Sequence, residues 1–230
     1  MTDQPSTVEI ETAPNPEFAV ILMHGLGAAA NDFVPLVSEL RLADAPAIRF
    51  VFPNAPEMAV TANNGYVMRA WYDILSFEGI NRRVDEAGSV DEAGIEASCQ
   101  RVRELIAEQN VRGIPTGRIF LAGFSQGGAM TYSAGLTHPD KLAGLIVLSG
   151  YIPAKGLIDA SFSEANRTTP IFAAHGTFDD VLNVRLGEEA VEFAREQGCT
   201  ADWHTYPMPH SVCMEEVEAL RAWLGARLAA

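Results

Sequence analysis

The sequence Arg-Ile-Phe-Leu-Ala-Gly-Phe-Ser-Gln-Gly-Gly-Ala-Met, residues 118–130, decides how the rest of the chain is interpreted. It contains a G-x-S-x-G pentapeptide, residues 123–127, between an apolar run and small residues that a helix accepts. This context predicts a nucleophile elbow, a sharp strand-to-helix turn that exposes the hydroxyl of Ser125. The pentapeptide alone is weak evidence in a chain with 19 glycines, and its flanks make it specific.

The backbone explains why glycines flank Ser125. Side chains two residues before and after it would collide in so sharp a turn, and Gly123 and Gly127 remove the colliding Cβ atoms. The helix that follows would point free N–H groups, that of Gln126 first, at a negatively charged oxygen. The alternative is an ordinary turn in which Ser125 caps a helix.

The length of 230 residues and the hydrophobic content of 48% allow a substantial core, and they predict one α/β domain over residues 1–230. We expect residues 1–16 to be mostly irregular, with a short edge strand at 8–10. The formal net charge is −14. Acidic residues concentrate in 85–96, 188–196 and 215–218, which we interpret as solvated helix faces. Nucleic acid and stable association with anionic membranes are disfavoured, because the surface would repel both.

Three cysteines, Cys99, Cys199 and Cys213, have no C-x-x-C spacing and predict neither a disulfide framework nor a zinc site. A metal site of His204, His210 and Cys213 would lack a fourth ligand at suitable spacing. We therefore expect no metal and no cofactor. The N-terminus lacks the features of a signal peptide, and a reducing, cytoplasmic compartment is the simplest inference.

Apolar runs and helical patterns alternate along the chain. Buried strands are predicted at 18–23, 48–52, 119–122, 145–148 and 171–174, with another strand at 202–206. Helices are predicted at about 31–42, 90–109, 126–136, 184–197 and 212–228, the first of them capped by Asn31-Asp32, and a long functional loop at 53–81.

This alternation predicts an α/β fold with a mostly parallel central sheet covered by helices on both faces. Ligands bind at the carboxyl ends of the strands in such sheets. About 20 residues separate the strands at 145–148 and 171–174, too few for a separate cap domain.

A serine hydroxyl needs a general base, and five histidines compete to serve Ser125. The α/β-hydrolase order of serine, acid and histidine excludes His24, which comes first. His138 ends the helix after the elbow, where a histidine usually interacts with the helix dipole. His204 lies within a strand, so its side chain should project from a face of the sheet.

His175 and His210 remain. His175 precedes the candidate acid Asp179 and is out of order, so we expect a hydrogen-bonding residue at a strand end. His210 lies between a strand and the final helix, where a loop could carry its imidazole to the serine. Asp179 and Asp180 are both candidates for the acid. Whichever of them is not the acid would cap the helix beginning near Asn183.

With these residues, the chain resembles the phospholipase/carboxylesterase family of α/β-hydrolases, which includes acyl-protein thioesterases and small bacterial carboxylesterases. The resemblance runs from about Ala19 to Leu224. Six segments carry it, in family order: 23–27, 52–56, 69–73, 123–128, 175–179 and 209–211. The resemblance implies an α/β-hydrolase fold without a separate cap domain.

The resemblance also implies a serine hydrolase of acyl esters or thioesters. It assigns Ser125 as the nucleophile, His210 as the base and Asp179, rather than its neighbour, as the acid. The oxyanion hole falls to the backbone N–H groups of Leu26 and Gln126.

Two residues depart from the family pattern. Ala28 stands where the family often has an aspartate, and Pro209 occupies a position that is commonly glycine. Pro209 should stiffen the histidine loop. These departures concern substrate fit and loop mobility more than the chemistry.

Apolar residues predict a solvent-open acyl groove. The candidate substrate-binding residues are Trp71, Leu75, Ile80 and Ile152, with Phe77, Pro153 and Leu157 beside them. The expected function is a serine carboxylesterase acting on short- to medium-chain acyl esters, which are small molecules, through an acyl-enzyme. The alternatives are an acyl-protein thioesterase, a lysophospholipase and, from another class, a non-catalytic ligand receptor with a hydrolase fold. The oligomeric state is open, and a homodimer is one alternative.

Overall fold

The computed structural model describes residues 6–42, 45–82 and 90–229, which contain nine strands and seven α-helices. The strands are β1 (Thr7–Glu11), β2 (Phe18–Met23), β3 (Ile48–Pro53), β4 (Glu57–Val60), β5 (Tyr66–Arg69), β6 (Ile119–Phe124), β7 (Gly144–Leu148), β8 (Ile171–Gly176) and β9 (Ala201–Tyr206). The helices are α1 (Val34–Glu39), α2 (Phe77–Arg82), α3 (Glu92–Val111), α4 (Gln126–Leu136), α5 (Lys155–Ser161), α6 (Val184–Glu196) and α7 (Met214–Leu228).

Seven strands form one sheet in the order β1-β3-β2-β6-β7-β8-β9. All neighbouring pairs are parallel except β1 and β3, which are antiparallel with Val8 opposite Phe52. The prediction of a mostly parallel sheet is confirmed, and so is the short edge strand near the N-terminus. Within the segment 1–16, which was expected to be mostly irregular, the strand is one residue longer at each end than the expected 8–10.

Side chains of the buried strands alternate between two cores, one on each face of the sheet. Ile21 and Leu121 face a core that α3, α4 and α6 cover, whereas Val20 and Phe120 face a core that α1 and α7 cover. Both faces are therefore shielded from water, which explains strands that are apolar throughout. Between β7 and β8 the chain forms only α5 and a short 3₁₀ turn, with no separate cap domain.

The first predicted helix differs from the structure. Residues 30–33 form a 3₁₀ turn, and α1 ends at Glu39, earlier than expected, because Arg41 adopts a left-handed backbone with φ of 46°. Asp32 does not cap α1. Its carboxylate accepts a hydrogen bond from the Ala29 N–H at 2.8 Å and closes the 3₁₀ turn.

The predicted loop over 53–81 is also more ordered than expected. It contains a β-hairpin of β4 and β5 and the short helix α2. The hairpin turns at Asn64 and Gly65, both with positive φ, 54° and 74°. An Asn-Gly pair favours such turns because both residues tolerate positive φ, and the sequence interpretation missed this signal.

The acidic runs were predicted to lie on solvated helix faces, and one acidic residue departs from this prediction. Glu216, in the first turn of α7, is fully buried, whereas Glu215 and Glu218 are exposed. Burial raises the pKa of the Glu216 carboxyl to about 8, and the backbone N–H of Cys213 offsets part of this rise. In the other acidic runs, Glu188, Glu192 and Glu196 are exposed as predicted, and residues 85–89 lie outside the described part of the chain.

We predict that Glu216→Gln stabilises the fold increasingly as pH rises. The folded-state pKa of about 8 lies above the ordinary 4.5, so the contribution of the native carboxyl is complete below pH 4.5 and is lost by about pH 8. The glutamine variant has no carboxyl to ionise. Its free energy of unfolding should therefore exceed that of the native protein by roughly 2–4 kcal/mol at pH 8 and by almost nothing at pH 4.5. Denaturant unfolding at both pH values measures the gain, with Glu218→Gln as the control; an equal effect of Glu216→Gln at both would contradict it.

Candidate active site

Ser125 lies at a strained turn between β6 and α4. Its φ of 56° and ψ of −119° are unfavourable for a residue with a side chain. The Ser125 N–H donates to the Leu148 carbonyl at 2.9 Å and ties the turn to the neighbouring strand. A Cβ at Gly123 would overlap the Gly127 carbonyl, and one at Gly127 would overlap the carbonyl of Met23. Both glycines are therefore required by close backbone approach, as the sequence predicts.

The structure brings Ser125, His210 and Asp179 into one hydrogen-bonded row. His210 Nε2 lies 2.9 Å from Ser125 Oγ, and His210 Nδ1 lies 2.6 Å from Asp179 Oδ2. The carboxylate favours a proton on Nδ1, which leaves the lone pair of Nε2 facing the serine hydroxyl. Phe124 packs on the imidazole at 4.7 Å between ring centroids and limits its rotation.

The carboxylate of Asp179 is buried and well supplied with donors. Its Oδ1 accepts the backbone N–H groups of Val181 at 3.0 Å and Leu182 at 2.8 Å. Burial alone would raise the pKa of Asp179, but hydrogen bonds from His175, His210 and Leu182 outweigh it and hold the pKa well below its usual range. The group is therefore ionised at neutral pH.

Asp180 does not serve as the helix cap that the sequence reasoning allowed. Asn183 caps α6 itself, because its side chain accepts a hydrogen bond from the Arg185 N–H at 3.0 Å. The reason is the turn at Val181 and Leu182, whose N–H groups are taken by Asp179.

The other four histidines lie away from the serine hydroxyl. His138 was expected to interact with the helix dipole, but its Nδ1 contacts the backbone N–H and carbonyl of Asp140. His204 projects from a face of the sheet, as expected, and its ring stacks on Phe172 at 4.9 Å between centroids. His175 lies at the end of β8, fully buried, with Nε2 2.9 Å from the Leu182 carbonyl.

His24 is structural. Its Nε2 accepts the Ala55 N–H at 3.0 Å, and its Nδ1 contacts the Gly25 carbonyl at 2.7 Å. Burial lowers the pKa of His24, which keeps the imidazole neutral. The neutral ring fixes the start of the loop that carries Leu26.

Leu26 and Gln126 border the same cavity as Ser125. The Leu26 loop is shaped by hydrogen bonds from the Gly27 N–H to the Arg69 carbonyl at 2.8 Å and from the Ala28 N–H to the Gly25 carbonyl at 3.2 Å. Gln126 is the first residue of α4, where backbone N–H groups have no partner within the helix. Both residues thus border the cavity at the serine, and their assignment to an oxyanion hole stays a prediction.

The side chain of Gln126 has a second role that the sequence did not reveal. Its Oε1 accepts the Trp71 N–H at 3.0 Å, and its Nε2 donates to the Tyr72 carbonyl at 2.8 Å. The Trp71 carbonyl in turn accepts the hydroxyl of Ser98. Gln126 thereby fastens the segment after β5 to the elbow.

A cavity of about 530 Å³ opens at Ser125. Its apolar wall consists of Leu26, Phe33, Ile74, Phe77, Ile80, Phe124, Val181, Leu182 and Val212. Polar groups are few: beside Ser125 and His210 they include the hydroxyls of Tyr151 and Ser211 and the carboxylate of Asp32. Tyr151 is tied to Tyr72 by a hydroxyl contact of 2.5 Å, and burial raises its pKa to about 12, so it remains neutral.

Of the four candidate substrate-binding residues, only Ile80 lines this cavity. Trp71 is buried in the core, with Nε1 donating to the His24 carbonyl at 2.9 Å. Leu75 is replaced in the wall by its neighbour Ile74, and Ile152 is partly buried against the core. Among the accompanying candidates, Phe77 lines the cavity, whereas Pro153 and Leu157 do not.

Ala28 borders the cavity, and Pro209 does not. The histidine loop is held where β8 ends, since a Cβ at Gly176 would overlap the carbonyls of Met208 and Pro209. The stiffening by Pro209 stays a prediction. Within the part of the chain that the structure describes, no cluster of three or more potential ligands could hold a metal, and no helix is long and apolar enough to cross a membrane.

A serine elbow, a histidine on a late loop and a buried aspartate at the carboxyl edge of a parallel sheet define an α/β-hydrolase. A family model described as Phospholipase/Carboxylesterase matches residues 6–227, and the chain belongs to this family. It is a hydrolase of the thioesterase and carboxylesterase class.

Two relatives and the crystal structure of one of them illustrate the similarity. Acyl-protein thioesterase 1 of Neurospora crassa is 39% identical over 217 residues, which cover 91% of this chain and 86% of the relative. Carboxylesterase SOBER1 of Arabidopsis thaliana is 32% identical, with 91% and 90% covered. The crystal structure of SOBER1 superposes with a TM-score of 0.82 over 92% of this chain and 99% of that one, at 31% identity.

We predict that Gln126→Ala lowers the free energy of unfolding by about 2–4 kcal/mol, because it leaves the Trp71 N–H and the Tyr72 carbonyl buried without partners. Denaturant unfolding measures this. The exposed Gln100→Ala is the control and should change stability by less than about 0.5 kcal/mol. Equal stability of the two variants would refute the fastening role.

Proposed function

We propose that the protein is a serine carboxylesterase that hydrolyses short- to medium-chain acyl esters through an acyl-enzyme. The hydrogen-bonded row of Ser125, His210 and Asp179 carries the proposal, with contacts of 2.9 Å and 2.6 Å. These are the contacts needed to activate a serine and to orient its base. A ligand receptor would need none of them.

In the acylation step, Ser125 Oγ forms a bond with the ester carbonyl carbon while His210 Nε2 takes the hydroxyl proton. The resulting imidazolium returns the proton to the leaving alkoxide as the carbon–oxygen bond breaks. Water then attacks the acyl-enzyme with the same base, and the carboxylic acid and free serine are regenerated.

Asp179 holds the imidazole in the tautomer that this step needs and stabilises the imidazolium that forms. Its lowered pKa supports this role, because the carboxylate keeps its charge at any pH at which the histidine can act as a base. The Leu26 and Gln126 N–H groups are suited to hold the oxyanion. Each such donor is worth roughly 3–4 kcal/mol of transition-state stabilisation.

The cavity supports an acyl substrate of limited length. Its walls are apolar at Phe77, Ile80, Val181 and Val212, and a volume of about 530 Å³ is within the range of small-molecule sites. Phe77 and Ile80 lie on α2 and give it one apolar side. An acyl chain therefore fits better than a charged or sugar-like group.

A thioesterase acting on acylated proteins is the second candidate. The name of the relative from Neurospora crassa supports it, as does the chemistry, since a thioester requires the same nucleophile, base and oxyanion donors. Hydrolysis of lysophospholipids is a further variant of the same reaction.

The partners and setting are proposed on charge and thiol content. The net charge of −14 disfavours nucleic acid and stable association with an anionic membrane. Cys99, Cys199 and Cys213 are free thiols, as suits a reducing cytoplasm. The proposed substrate is a small-molecule ester, no cofactor is required by the steps above, and a homodimer is one possible assembly.

We predict that Ser125→Ala abolishes turnover of p-nitrophenyl butyrate and labelling by a fluorophosphonate, because Ser125 is the only described residue whose hydroxyl is hydrogen-bonded to His210. The loss should reach about 10⁴-fold or more. The exposed Ser161→Ala is the control and should leave both unchanged. Turnover retained by the purified Ser125→Ala protein would exclude the proposed mechanism.

We predict that Ile80→Trp shifts the preference towards shorter acyl chains, because the indole fills part of the cavity. The ratio of kcat/KM for p-nitrophenyl octanoate to that for the acetate should fall by about 10-fold or more. Val111→Trp, at a position that is 89% exposed, is the control. Acyl thioesters and lysophospholipids of matched chain length show which head group is preferred. An unchanged ratio would place the acyl chain elsewhere.

A further inference from the structure

His175 is a buried titratable group that the reaction steps above do not use. It is fully buried at the end of β8, one strand residue before the turn that leads to Asp179. Its Nε2 lies 2.9 Å from the Leu182 carbonyl and 3.2 Å from Asp179 Oδ2. The same ring nitrogen therefore faces two acceptors of the acid loop.

The contacts define the tautomer of His175. Nε2 must carry a proton, because both of its neighbours accept hydrogen bonds. Nδ1 is buried and has no partner among the described residues, so a proton there would be unsatisfied. The donor of the imidazole is therefore Nε2–H.

This donor completes the surroundings of Asp179. Oδ1 is held by the N–H groups of Val181 and Leu182, and Oδ2 faces both His210 at 2.6 Å and His175 at 3.2 Å. The two imidazoles approach the same oxygen. His175 also binds the carbonyl of Leu182. The N–H of the same Leu182 donates to Asp179 Oδ1, so His175 supports both oxygens of the carboxylate.

Packing fixes the plane of the His175 ring. A Cβ at Gly187, on α6, would lie 2.6 Å from His175 Nδ1 and 2.6 Å from Trp203 Cη2. The Trp203 ring lies 6.2 Å from the imidazole, centroid to centroid. The close approach of α6 at a glycine thus covers the Nδ1 side of the ring, and Nε2 lies towards the acid.

We propose that His175 is a positioning residue for the acid: its Nε2–H donates to the Leu182 carbonyl, faces Asp179 Oδ2 and sets the carboxylate for His210. The inference rests on the proposed function, since it concerns the orientation of the base. His175 does not touch the reacting atoms and acts only through Asp179.

The test compares His175→Leu, which removes the donor at similar volume, with His175→Gln, whose amide nitrogen reaches the position of Nε2. In His175→Leu, kcat for p-nitrophenyl butyrate should fall about 10- to 100-fold, the range for loss of a hydrogen bond to a charged group. KM should change less than about two-fold, because the acid does not contact the substrate. His175→Gln should recover most of kcat.

Proton NMR adds a signature that loss of stability would not produce. The proton between His210 Nδ1 and Asp179 gives a downfield resonance, which should shift or broaden in His175→Leu and return in His175→Gln. An unchanged resonance and kcat in folded His175→Leu, or an impaired His175→Leu that the glutamine does not rescue, would overturn the proposal.

A third variant changes the packing around the His175 ring without replacing His175. Gly187→Ala presses a methyl group on His175 Nδ1 and should lower kcat and move the same resonance. Gly225→Ala, on α7 with no atom within 4 Å of the added methyl, is the control and should change neither. If His175→Leu does not fold, a folded Gly187→Ala with unchanged kcat refutes the proposal.

Failure of the proposed function would look different. A wild-type protein that neither turns over esters nor reacts with a fluorophosphonate would exclude the serine mechanism. An active wild type whose rate and resonance are indifferent to His175 would exclude only the positioning role.

Discussion

The close backbone approach at the elbow is the constraint on which the rest of the site depends. Gly127 packs on the carbonyl of Met23, at the end of β2, and Gly123 packs on the carbonyl of Gly127. This contact brings the ends of β2 and β6 and the start of α4 together. Leu26 and Gln126, more than 90 residues apart in sequence, border one cavity as a result. Every residue of α4 is buried, so the elbow is anchored in the middle of the protein.

The second requirement is electrostatic. A carboxylate at the fully buried position of Asp179 would be costly without compensation. The loop after β8 supplies that compensation with two backbone N–H groups, and two imidazoles face the other oxygen. The acid thus keeps its charge although its side chain is buried. Because burial reduces screening by water, the charge interacts strongly with His210. The same loop contributes Val181 and Leu182 to the cavity wall, which couples the acid to the shape of the site.

The segment after β5 has a buried part that holds it in place and a second part that lines the cavity. Trp71 was expected to contact substrate, yet its ring is buried and its polar atoms bind His24, Ser98 and Gln126. The next residues, from Ile74 to Ile80, form the apolar wall. The aromatic residue therefore holds the loop, and aliphatic residues and Phe77 shape the cavity.

The sequence by itself predicted most of the strands and helices in order, the elbow and the histidine that meets its serine, because apolar runs, glycines and residue order are local or sequential signals. Residue order left Asp179 and Asp180 open as the acid, and the sequence chose between them only through the family resemblance. It predicted six of the seven strands of the sheet close to their observed bounds and a seventh in part. Only the tertiary structure decided which side of a residue faces the cavity, as at Trp71 and Leu75, and which acid is buried, as at Glu216. It also placed His175 against Asp179. These outcomes depend on side-chain direction and on neighbours distant in sequence, which no local pattern encodes.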